Sequence, residues 1–135
     1  MSGRALLGAA PTPGATSALI TVHDRLGLAL LIVLAAGVVL SALAVRDQGL
    51  LPTVRAYLRL AFAAVVLQGI GGISLLLAGQ RPAAGLHVMY GPLTLISLPL
   101  TLLFARGTVP RREAWTLTAG FVVALLLAFR AFSTG

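Results

Sequence analysis

The sequence predicts an all-α integral membrane protein built as an up-down four-helix bundle, and three observations carry that expectation. Hydrophobic residues make up 59 % of the 135 residues and charged residues 10 %, where a soluble domain of this size carries about a quarter charged. Four apolar stretches recur, each close to the roughly 20 residues that cross a bilayer. The polar turns between them are short, which sets neighbouring helices antiparallel. In water so few charges would leave large apolar patches exposed, so the solvent that fits this chain is lipid.

Residues 1–18 are expected to form a flexible or surface-lying tail, with Pro11, Pro13 and Gly14 breaking any helix. The apolar patch at residues 5–10 is short for a signal-peptide core and no clear cleavage site follows it, so the tail is expected to be retained. Residues 19–135 make up the four-span domain. The first span covers about residues 20–45 and is free of charge from Leu26 to Val45. Asp47, Gly49 and Pro52 mark the turn after it. The second span, about residues 55–80, is entered past Arg55 and Arg59 and ended by Arg81 and Pro82. The third, about residues 83–105, contains Pro92 and Pro99, each of which removes a backbone donor and predicts a kink. Pro110 is suited to start the fourth span, about residues 112–132, near whose end Arg130 can snorkel to the interface.

All ten basic residues are arginine, against three acids, for a net charge of +7. The arginines lie mostly between apolar spans, where they orient helices and meet anionic headgroups, so nucleic acid is not the expected partner. Arg46, Arg55, Arg59, Arg106, Arg111 and Arg112 fall on one side, and Arg4, Arg25, Arg81 and Arg130 on the other. The positive-inside rule then puts both termini on the outer side of a bacterial cytoplasmic membrane. With no cysteine, disulfides, thiolate metal sites and covalently attached c-type heme are excluded.

Thr116, Gly120, Ala124 and Ala128 recur every four residues in the fourth span, and Gly37 and Ser41 do so in the first. Such stripes let another backbone approach, either within the bundle or across a homodimer seam.

The only histidines, His23 and His87, enter the first and third spans from the same side of the membrane. Gly27 and Gly91 each follow a histidine by four residues, on its own helix face one turn deeper. Gly71 and Gly72 of the second span come shortly before Arg81 and so fall in the same half of the bilayer. Two imidazoles and glycine-smooth walls describe a slot for a planar macrocycle, with His23 and His87 as axial ligands of its iron. Arg25 and Arg81 at the mouth are suited to its propionates. Zinc or copper would want three or four protein ligands, and Asp24, next to His23, points about 100° away from it on a helix. The alternative is two interfacial histidines bonded to backbone or water. Gln68 is expected to bridge helices or to touch a heme or quinone, and Tyr57, Trp115, Phe129 and Phe132 to anchor at the interface.

Residues 67–77, LQGIGGISLLL, followed by residues 85–91, GLHVMYG, resemble the heme A synthase family. The likeness spans about residues 20–105 and implies one of that family's two four-helix halves. It implies His23 and His87 as heme ligands and Gln68 to Gly72 as pocket wall. The family's catalytic glutamate, three residues before the first histidine, corresponds here to Ile20. Its arginine directly after that histidine is replaced by Asp24, with Arg25 next. Heme A synthesis therefore fits less well than heme binding. The expected function is a membrane b-type cytochrome with one bis-histidine heme b, a homo-oligomer or small subunit of a respiratory or photosynthetic complex. The alternatives are a half-size heme A synthase-like enzyme acting as a homodimer, and a heme-free structural subunit.

Overall fold

The computed structural model describes residues 12–135. Residues 1–11, most of the expected tail, lie outside the described residues. Four helices follow one another: α1 (Pro13–Arg46), α2 (Leu51–Leu77), α3 (His87–Ala105) and α4 (Pro110–Thr134). All four are long and apolar enough to cross a membrane, and there is no strand among the described residues. The protein is an all-α four-helix bundle.

Pro13 starts α1 rather than breaking it. Its fixed φ suits the first helical position, where no N–H is needed. Thr12 precedes it in extended conformation, and residues 13–18 are helical instead of belonging to the tail. A 3-10 turn, Gln48–Leu50, reverses the chain, with Asp47 accepting a 3.0 Å hydrogen bond from the Gly49 N–H. Pro52 then allows α2 to begin at Leu51, ahead of the arginines that mark its entry in sequence.

The end of α2 comes earlier than Arg81 and Pro82 imply. Gly79 adopts φ +81°, its N–H bonds Leu76 O at 3.0 Å, and the Gln80 N–H bonds Leu75 O at 3.0 Å. That pair of bonds is a Schellman motif, which glycine accommodates without a Cβ penalty. Residues 80–86 form a non-helical link, tied down by Ala84 N–H donating to Thr134 O at 3.2 Å. The third helix accordingly starts at His87 rather than near residue 83. It runs unbroken through Pro92 and Pro99.

Around the bundle the order is α1–α2–α3–α4, with α4 packed along both α1 and α3 and the seam between α2 and α3 the thinnest. Packing, not water exclusion, must hold such helices together in lipid, so close backbone approach matters. Gly37 leaves the space the Phe121 ring occupies, and Gly120 the space taken by Thr101. Gly120, Ala124 and Ala128 are buried within the bundle, which places this small-residue stripe against its own neighbours. Tyr57 turns inward rather than anchoring at the interface. Its hydroxyl donates to Val33 O at 2.9 Å and its ring lies 6.1 Å from that of Phe121. Arg55 closes this end with two 2.6 Å bonds to the Glu113 carboxylate, a bidentate pair joining α2 to α4.

The fully buried residues stop short of the histidine end of the bundle. Buried residues begin at Leu30 in α1 and at Thr94 in α3, and end at Val65 in α2 and Ala128 in α4. Because the helices alternate in direction, all four limits fall at one level. Beyond it, toward the histidines, no described residue is fully buried.

Gly120→Val is expected to cost about 1–3 kcal/mol by overpacking against Thr101, whereas Gly69→Ala, with nothing within 4 Å of the added carbon, should leave stability unchanged or raised. Thermal unfolding in micelles, followed by circular dichroism, compares the two, and equal midpoints would contradict the contact. Glu113→Ala should lose only about 1 kcal/mol, because Arg55 is 43 % exposed and its charge is screened.

Candidate functional site

His23 lies ten residues past the start of α1, and His87 is the first residue of α3. Their distances from the helix starts differ, yet the two rings meet. Their centroids are 6.2 Å apart with planes inclined by 67°, across the bundle diagonal and within the half that lacks a buried core.

The C-terminal turn of α4 holds His87. Its Nδ1 lies 2.7 Å from Ala131 O, an acceptor only, so Nδ1 carries a proton, and in the neutral ring the lone pair falls on Nε2. A Cβ added to Gly135 would stand 2.9 Å from the same nitrogen, so a larger residue there would crowd this ring. His23 rests on α2. A Cβ at Gly71 would lie 3.3 Å from its Nδ1, and one at Gly72 would lie 3.3 Å from its Cε1. These two glycines form the wall against which the nitrogen edge of His23 lies, and larger residues there would push the ring away.

Gln68 completes the contact between α1 and α2. Its Nε2 donates to the backbone O of His23 at 3.0 Å and lies 3.5 Å from His23 Nε2. Among the described residues, His23 Nδ1 and Gln68 Oε1 are the buried side-chain polar atoms without a partner.

The remaining sequence-derived residues divide. Gly27 is in the site but makes room for Gln68 and for Phe132, which a Cβ there would meet at 3.2 and 3.3 Å. Gly91 faces open space. Arg25 is exposed and makes no ion pair among the described residues. Arg81 lines an open groove of about 600 Å³ with Leu76, Gln80, Pro82, Gly85 and Val88, at the mouth of the thin seam between α2 and α3. Arg130 does not simply snorkel: its guanidinium sits 5.9 Å from the centre of the Tyr90 ring. Ala131 and Phe132 enter the site although sequence reasoning left α4 out of it. The signal was available only as the antiparallel order, which brings the end of α4 beside the start of α3.

Among the described residues no group of three or more His, Cys, Asp or Glu side chains gathers to hold a metal ion. A bare ion needing three or four protein ligands is not served here. Two metal–imidazole bonds of about 2 Å, plus the half-widths of both rings, would separate ring centres by roughly 6 Å; the observed centres are 6.2 Å apart, with the nitrogen edge of His23 turned to α2. No family model, curated protein or solved structure matches the chain.

The convergence of α1 and α3 can be checked without any ligand. In a chain that has no cysteine of its own, His23→Cys combined with His87→Cys should be bridged within one chain by a short bis-maleimide. Each single variant should not. Failure of the double variant to yield the faster-migrating intrachain product would contradict the 6.2 Å approach.

Proposed function

We propose that the chain is a membrane b-type cytochrome that binds one heme b between His23 and His87 and carries electrons. The observation that supports this reading is the pair of imidazoles 6.2 Å apart at the end of the bundle where no described residue is fully buried. A heme supplies one-electron exchange at its iron. The residues of this chain do the rest. His87 presents Nε2 because Ala131 holds its Nδ1 proton, the arrangement that fixes tautomer and orientation in metal-ligating histidines. His23 provides the second nitrogen once its ring turns from the α2 wall toward the bundle interior. His23 and His87 would together hold the group, which would leave no protein-free position on it for oxygen. Gly71 and Gly72 keep the wall low, and Arg81 at the groove mouth is placed to meet a propionate.

Electron carriage is favoured over heme A synthesis by Ile20, which stands where the resembled family has its glutamate, and by the exposure of Asp24, the nearest acid. The arginine distribution supports an orientation with the histidine end on the outer side of the cytoplasmic membrane. A homo-oligomer or a place in a larger electron-transfer complex fits a carrier that needs a donor and an acceptor.

The test is direct. Protein purified in detergent and supplied with hemin should show a Soret band and sharp low-spin bands in the reduced-minus-oxidised spectrum, with pyridine extraction identifying heme b. His23→Ala and His87→Ala should each abolish the low-spin bands. Gly72→Leu, which crowds His23, should cut heme occupancy while leaving the helical signal intact. The absence of any Soret band in the unmutated protein would refute the reading.

A further inference from the structure

We propose that Gln68 is the positioning residue of His23, clamping the helix at the ligand's own carbonyl and offering its amide oxygen to the ring's Nδ1 proton. This rests on the heme reading and deepens it.

The two imidazoles are served unequally. His87 has a backbone acceptor for its Nδ1 proton at 2.7 Å, but His23 Nδ1 is buried with no partner. A neutral imidazole that gives Nε2 to a metal must carry its proton on Nδ1, and such a proton almost always finds an acceptor, which sets ring orientation and ligand basicity. The other buried, unpartnered polar side-chain atom among the described residues is Gln68 Oε1. It is an acceptor only, and it belongs to the side chain already in contact with His23. One atom lacks an acceptor and the other lacks a donor, so pairing them satisfies both.

The present contacts describe the arrangement before that pairing. Gln68 Nε2 bonds the His23 backbone O at 3.0 Å, which fixes the level of α1 against α2 at the ligand. The same nitrogen lies 3.5 Å from His23 Nε2, the atom that an iron would take. Turning Nε2 to the interior removes this long contact and leaves the amide oxygen as the acceptor within the same side-chain pair. Leaving two buried polar atoms unsatisfied in an apolar environment is otherwise costly. Gly27 permits the arrangement, since a Cβ there would stand 3.2 Å from Gln68 Nε2.

The test uses the heme-loaded protein in detergent, comparing the unmutated chain with Gln68→Leu and Gln68→Glu by redox titration, low-temperature paramagnetic resonance of the ferric form and heme dissociation rate. Gln68→Leu removes the acceptor, so His23 becomes a poorer donor. The midpoint potential should rise, the low-spin resonance should shift, and heme should be held about 10–100-fold less tightly. Gln68→Glu keeps an acceptor oxygen at the same reach and should retain heme, with a potential at or below that of the unmutated protein. A purely structural glutamine would change occupancy without moving potential or resonance. Unmoved values in heme-loaded Gln68→Glu and Gln68→Leu would therefore overturn this role while leaving the cytochrome standing. If Gln68→Leu fails to fold, an acidic variant whose potential rises instead of falling or holding overturns it as well. No Soret band in the unmutated chain sinks both together.

Discussion

The bundle depends on the interlock at its arginine-rich end, where the Phe121 ring occupies the space left by Gly37 and Thr101 that left by Gly120. In lipid, apolar side chains gain little by leaving one hydrocarbon for another, so such close packing carries the association of the helices. The Tyr57 bond to Val33 and the bidentate Arg55–Glu113 pair reinforce the same end. Fixing four helices there fixes their directions everywhere. The other end, where no described residue is fully buried, is joined by the polar contacts of Gln68 with His23 and of His87 with Ala131.

The spans were legible because lipid imposes a strong rule: a helix must satisfy its own backbone over about 20 apolar residues. Element ends were less so. Pro13 reads as a breaker when taken alone and as a first helical residue once it follows the extended Thr12. The start of α3 was hidden because the 80–86 link is held by Thr134, a residue at the far end of the chain. Arg55 and Glu113, separated by 58 positions, gave no local sign of pairing. The histidine pair was visible as two rare residues entering from one side, but the ring supports were not. Backbone oxygens such as Ala131 O have no signature in sequence, and Gln68 announces only that it needs a partner.

The glycines show how far a single residue type can mislead or inform. Glycine four residues after each histidine suggested two matched walls, yet Gly91 faces open space and Gly27 accommodates Gln68 and Phe132. The wall against the His23 ring is instead Gly71 and Gly72, on the antiparallel neighbour. A residue's own helix face governs what lies one turn away. What touches its ring is governed by the helix packed opposite.

His87 and His23 therefore differ in readiness. His87 is oriented by α4, where Ala131 O accepts from its Nδ1. His23 is held by α2 in contacts that occupy its nitrogen edge. The asymmetry makes α2, through Gln68, Gly71 and Gly72, the element that sets the orientation of the His23 ring.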